Sequence, residues 1–137
     1  MSTLAFLDCR VEVNSVVLSS WGTNVNLPIE YEALEDTAFG DTGRSRIGGL
    51  QDSNLGLEFN QDFAAGGPDA TIWAARNTVI SVKVRPTSSA IGATNPEYVG
   101  SYLVAQHVPF GQGVGQLAKE SVTWPLSDSD GIARNTS

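Results

Sequence analysis

Residues 9–18 read Cys9-Arg10-Val11-Glu12-Val13-Asn14-Ser15-Val16-Val17-Leu18. Cys9, Val11 and Val13 alternate with Arg10, Glu12 and Asn14, the two-residue period of a strand with one buried face. Asn14-Ser15 then separates this run from Val16-Val17-Leu18, as a tight turn between paired strands does. The same period recurs downstream. Within residues 27–35, Ile29 and Tyr31 alternate with Glu30 and Glu32. Leu55, Leu57 and Phe59 alternate with Gly56, Glu58 and Asn60, and Ile80, Val82 and Val84 with Ser81, Lys83 and Arg85. Residues 98–108 predict a long strand and residues 120–126 a final one. With 14 Gly and 6 Pro supplying turns, the pattern predicts a mainly β fold, an antiparallel β-sandwich or part-barrel.

One segment departs from that period. Gly66-Gly67-Pro68-Asp69 leads into Ala70-Thr71-Ile72-Trp73-Ala74-Ala75-Arg76-Asn77. Asp69 is a suitable N-cap and the alanines favour helix, so a short flanking helix is expected at about residues 69–77. Ile72, Trp73 and Arg76 would form its packing face.

A chain of 137 residues suits a single domain. It shows no internal repeat and no linker. The core is expected within about residues 8–126, with 127–137 a polar tail, disordered or laid on the exterior of an assembly or on a neighbour. Residues 37–49 and 86–96 read as long loops. Loops of this length are often functional, and neighbouring copies of the chain could order them.

The net charge of −7 argues against a protein that grips nucleic acid through phosphates, which takes clustered Lys and Arg. Cys9 is the sole cysteine, which rules out an intrachain disulfide, and its place in an apolar row predicts a buried structural thiol. The N-terminal stretch lacks the pattern of a secretory signal, and no apolar run reaches the roughly 18 residues of a membrane helix, so synthesis in a cytoplasm without membrane insertion is expected. The single histidine, His107, has no Cys or His near it in sequence to share a zinc ion. Asp128-Ser129-Asp130-Gly131 is a fragment of a calcium loop without its later ligands. Gly111-Gln112-Gly113-Val114-Gly115 has the wrong spacing for a phosphate loop. Glu30, Glu32, Glu35 and Asp36 are the densest acidic cluster, but strand spacing explains it as a solvated face. No catalytic residue, metal site or cofactor is expected.

The order of features carries a resemblance. The strand pair VEVNSVVLSS precedes a strand ending at Thr37 and Gly40-Asp41. Then come Gly49-Leu50-Gln51-Asp52, a strand running through Phe59 to Asp62, the helix with Ile72-Trp73, the strand TVISVKVRP and the closing SVTWPL. This resembles the tail tube (major tail) proteins of long-tailed bacteriophages, over roughly residues 8–126. The fold of that family is in turn related to the inner tube of the type VI secretion system. The family glycine in the first hairpin turn is replaced here by Asn14 or Ser15. The resemblance implies a virion protein made in the host cytoplasm. Six copies would form a ring, and rings would stack into a tube that conducts genome DNA during ejection. The implied partners are further copies of itself, a tape-measure protein and the tail initiator and terminator proteins, with DNA passing transiently and non-specifically.

Set beside that picture, the acidic balance suits a conduit that offers DNA no sticking point, and Glu30, Glu32, Glu58, Glu97 and Glu120 are the candidates to face the lumen. Phe39, Asp41, Arg44, Arg46 and Ile47 combine apolar anchors with pairable charge, and are the candidates to bridge stacked rings. A monomeric β-sandwich that binds carbohydrate or a receptor, or a minor tail protein of the tip or terminator kind, is the alternative reading of the same residues.

Overall fold

The computed structural model describes residues 3–137. The chain forms β1 (Arg10–Val13), β2 (Val16–Val17), a 3-10 turn (Ser19–Trp21), β3 (Gly22–Asn26), β4 (Glu30–Glu35), β5 (Arg46–Asp52), β6 (Asn54–Asn60), α1 (Pro68–Ala75), β7 (Val79–Arg85), β8 (Glu97–Leu103), β9 (Lys119–Pro125) and β10 (Ala133–Asn135). All pairings between strands are antiparallel. One sheet has the order β10-β8-β7-β1-β2 and a second the order β3-β6-β9. β4 and β5 pair only with each other.

The alternating rows point where the two-residue period sends them. Val11, Val13, Ile80, Val82, Val84 and Tyr102 from the first sheet meet Leu55, Leu57, Phe59, Val122 and Trp124 from the second in one buried cluster. The arrangement is an antiparallel β-sandwich, and the described residues form no closed barrel. α1 adds Ile72 and Ala75 to the same cluster.

The first hairpin turns through Asn14 and Ser15 with φ of 50° and 67°, both in the left-handed region. Positive φ at both central positions is the type I′ geometry, whose twist matches the flanking strands. The turn therefore survives the absence of glycine, with Ser15 held in a conformation costly to a residue that carries a Cβ.

Several expectations change. The helix begins at Pro68 with Gly67 as N-cap, because proline suits a first helical turn. Asp69 lies inside that turn instead of capping it. Of the expected packing face only Ile72 is buried. Trp73 is exposed and Arg76 stacks its guanidinium 3.8 Å above the Trp73 ring. The strand expected over 98–108 stops at Leu103. A long loop, 104–118, follows it.

Residues 127–137 are neither disordered nor free. Ser127 donates its N–H to the Ser101 carbonyl, and Asp128 accepts the Ser101 N–H at 3.2 Å. β10 then pairs along β8, from Ala133 opposite Val99 to Asn135 opposite Glu97. Gly100 makes room for this return: a Cβ there would meet Ile132 at 3.2 Å and Tyr102 at 3.1 Å. The loop 86–96 is likewise ordered from within, since the buried Asn95 amide donates to the carbonyls of Ser89 and Ala90 and accepts the Thr87 N–H.

Candidate assembly surface

β3 and β6 are neighbours in the second sheet, and β4 and β5 continue the same hairpin beyond it. Residues 27–29, with Pro28, interrupt one arm. Ser53 interrupts the other. Its buried hydroxyl lies 3.0 Å from the Tyr102 hydroxyl, and its carbonyl accepts the Leu126 N–H. Past these breaks the hairpin becomes a two-stranded ribbon, roughly 20 Å long at about 3.3 Å per residue. Every residue of β4 is exposed, and no residue of β5 is fully buried.

Glu30 opposes Asp52, Tyr31 opposes Gln51, Leu34 opposes Ile47 and Glu35 opposes Arg46. Between Tyr31 and Ala33 the register slips, placing Gly49 and Leu50 opposite Glu32 alone. The bulge brings backbones so close that a Cβ on Gly49 would lie 3.1 Å from Glu32 Cβ and 3.3 Å from its carbonyl oxygen. That approach is the physical reason for the glycine in the Gly49-Leu50-Gln51-Asp52 passage.

The tip, residues 36–45, is shorter than the loop expected over 37–49, because residues 46–49 belong to β5. Its neck is tied by Thr37, whose hydroxyl accepts the Ser45 N–H at 2.9 Å, and by Asp36, whose N–H reaches the Ser45 carbonyl. Asp41 closes the turn above by accepting the Ala38 N–H at 2.8 Å, next to Gly40 at φ 95°. Phe39 is left fully in solvent. Tyr31, Leu34, Ile47 and Leu50 are also exposed, the last at 80%. Among the described residues neither Arg44 nor Arg46 has an ion-pair partner. Residues 30–52 carry six carboxylates (Glu30, Glu32, Glu35, Asp36, Asp41 and Asp52) against these two guanidinium groups, so they hold more than half of the net −7.

The five carboxylates proposed for a lumen part company. Glu30 and Glu32 are on the ribbon and open to solvent. Glu58 lies on the outer face of β6, 3.0 Å from Lys119 Nζ and within reach of the Thr23 hydroxyl; the hydrogen bond from Lys119 holds its carboxyl below the usual range. Glu97 and Glu120 are buried inside the protomer and cannot line a channel. Glu97 forms an ion pair with Arg85 at 3.2 Å, off the hydrogen-bond direction, while Arg85 also donates to the Ser89 carbonyl. Glu120 has no exposed surface and accepts from Gln61 Nε2 at 2.8 Å and the Val108 N–H at 2.9 Å, with His107 Nδ1 at 2.8 Å. His107 Nε2 lies 3.3 Å from Asp69, so the one histidine ties α1 to β9. The signal for Glu120 was present in the sequence: it shares its strand parity with Val122 and Trp124, which face the core.

Other sequence candidates fall into structural roles. Cys9 is half-buried and packs on the core. Burial, with a smaller push from Asp8, raises its thiol to about 11, which leaves it protonated and unreactive at neutral pH. Asp128 spends one carboxylate oxygen on Ser101 N–H and the other on Asp130 N–H, within a turn. No cluster of metal-ligating side chains occurs among the described residues, and no helix among them is long and apolar enough to cross a membrane. Trp124 is in the core and Trp21 donates to Asp62, so the tryptophans form no shared exposed platform of the kind a carbohydrate site uses.

Strand edges divide the same way. On the free side of β9, Gln112 accepts the Lys119 N–H and Gln106 the Thr123 N–H. β10 covers β8. Such coverage keeps an edge from recruiting foreign strands. Among the described residues neither strand of the ribbon is paired on its outer edge, as β2, β3 and β10 are not, and at the ribbon's base Gln51 Oε1 accepts the Ile132 N–H at 2.7 Å.

The fold is thus an antiparallel sandwich of two sheets with one short helix and an uncovered ribbon. A solved structure described as the virion of a native gene transfer agent particle contains a chain of similar fold, with a TM-score of 0.72 over 93% of this chain and 95% of that one, at 8% identity. No protein-family model matches the chain, and no curated protein matches it.

Proposed function

We propose that this chain is a structural virion subunit that assembles with copies of itself, and specifically that it builds the tail tube of a phage-like particle as stacked six-membered rings. The uncovered ribbon carries this reading. An isolated two-stranded hairpin is marginal in water, yet this one holds Tyr31, Leu34, Phe39, Ile47 and Leu50 in solvent. Covering such a side chain stabilises an assembly by up to about 1.5–3 kcal/mol, less for the half-covered Leu34 and Ile47. The free edges of β4 and β5 suit strand addition from neighbouring ribbons, which would continue one sheet around a ring. Likeness of fold to a chain of a gene transfer agent virion supports the same reading.

In that ring Glu30 and Glu32, with Glu58 beside its ion pair to Lys119, are the carboxylates left to face the lumen. DNA binds where Lys and Arg displace counterions from phosphate; a carboxylate wall gives it no such hold. The tip residues Phe39, Asp41 and Arg44, with Arg46 and Ile47 at the adjoining start of β5, bridge successive rings. A tape-measure protein and the initiator and terminator of the tail are the partners this role requires. Deleting residues 41–45 is expected to leave a folded protein that forms no tubes in negative-stain micrographs, and long tubes from this variant would refute the bridging role. Glu30→Lys with Glu32→Lys is expected to preserve tubes and slow DNA ejection, read by dye uptake on released DNA; ejection at the normal rate removes those residues from the lumen.

A further inference from the structure

The ribbon leaves the body at one end, and a second apolar surface occupies the other. β6 runs from Asn54, beside the ribbon, to Asn60, and Gln61, Asp62 and Phe63 continue from that far end. In β9, Pro125 pairs with Asn54 and Lys119 with Asn60, so the loop 104–118 also arrives at the far end. There the rings of Phe63 and Phe110 stack with centroids 5.5 Å apart, while 53% and 79% exposed. Gln61 Nε2 donates to the Pro109 carbonyl at 3.1 Å and holds the two segments together. Val114 and Leu117 are exposed on the same loop. His107, three residues before Phe110, brings in α1: its ring lies 6.2 Å from the exposed Trp73. Arg76, stacked on Trp73, has no carboxylate partner among the described residues.

We infer that this aromatic face receives the ribbon tip of a second copy of the chain, and that this contact is the head-to-tail joint of the assembly. The inference rests on the assembly reading and names the receptor it lacked. Placement is the first argument. Tip and aromatic face lie beyond opposite ends of β6, so a contact between them is heterologous and repeats from copy to copy. Chemistry is the second. Phe39 is a bare aromatic anchor flanked by Asp36 and Asp41, and the receiving face offers aromatic rings with the unpaired Arg76 guanidinium. The alternative of tip against tip would oppose two strongly acidic ribbons, a like-charge contact that disfavours itself. Patches of this kind on a soluble chain mark interaction sites.

Two full-length variants test the joint: Phe39→Ser, and Phe63→Ser with Phe110→Ser. All three side chains are exposed, so both variants are expected to melt as the wild type does. Each alone is expected to stop elongation, leaving short particles in sedimentation and negative stain. Mixed as preformed particles, each supplies the half that the other lacks, and pairs form that do not grow further. Wild-type elongation by the Phe63→Ser, Phe110→Ser variant overturns the inference and leaves the assembly reading standing. Failure of the mixture to form pairs, after each variant alone has stopped elongation, overturns it as well. A wild-type chain that never elongates at high concentration instead defeats the assembly reading itself.

Discussion

β6 and β4 carry the same kind of sequence and meet opposite fates. Leu55, Leu57 and Phe59 alternate with polar neighbours and are buried to 2% exposure or less. Tyr31 on β4 alternates with Glu30 and Glu32 in the same way before Ala33-Leu34 breaks the period, and every residue there is in solvent. The period of a strand states that one face is to be covered. It does not state by what. For β6 the cover is the facing sheet of the same chain. β4 has no such cover within the protomer, and on the proposed assembly other copies supply it.

The comparison breaks most visibly in the core. Phe59→Ala is expected to cost about 3–5 kcal/mol and to lower the melting temperature sharply. Leu34→Ala or Ile47→Ala on the ribbon is expected to change the stability of the isolated chain by less than about 0.5 kcal/mol, while weakening assembly. Calorimetry of unassembled protein checks both. A ribbon variant that melts as early as Phe59→Ala would mean that the ribbon is packed on its own body.

The carboxylates give the next contrast. Glu120→Ala leaves Gln61, His107 and the Val108 N–H facing a void and is expected to cost about 3 kcal/mol. Glu32→Ala is expected to leave the melting temperature where it is. Equal effects from the two would contradict the burial difference between them.

Gly49→Ala sharpens the picture within the ribbon. The added Cβ meets the Glu32 backbone, so a local cost of about 1–2 kcal/mol is expected. Amide hydrogen exchange at Leu34 and Ile47 should quicken with no change in global melting, because the ribbon does not share the core. Protection that stays the same would show that the bulge yields without strain. The smallest effect belongs to the first turn. Ser15→Gly relieves a left-handed residue and is expected to stabilise the chain by about 0.5–1 kcal/mol, after the greater freedom of glycine in the unfolded state is deducted. A loss of stability would mean that the Ser15 side chain contributes more than its backbone strain costs.

Much of the body was legible from residue order. The inward rows of β1, β6 and β7 follow directly from alternation, and the Asn14-Ser15 turn follows from the spacing of the runs around it. The departures have specific causes. Glu97 and Glu120 are charged, which reads as surface, but each sits at a strand position whose partner lies on another segment of the chain: Arg85 for one, Gln61 and His107 for the other. The last eleven residues look like a solvated tail because β10 is short and polar; it is held by backbone pairing to β8, which composition does not reveal. The aromatic face is not legible in residue order, because Phe63 and Phe110 are brought together only by the pairing of β6 with β9.

Alternation, turn chemistry and charge are local properties, and they were enough to determine a strand-rich, acidic chain with one short helix and no metal-binding motif. Which alternating face finds a cover is not local. It depends on which strands become neighbours, and that is decided by the packing of two sheets around Phe59, Tyr102 and Trp124. Only the tertiary structure could therefore show that β6 is satisfied within the chain, that Glu120 is sealed inside it, and that β4 and β5 pair with no strand but each other.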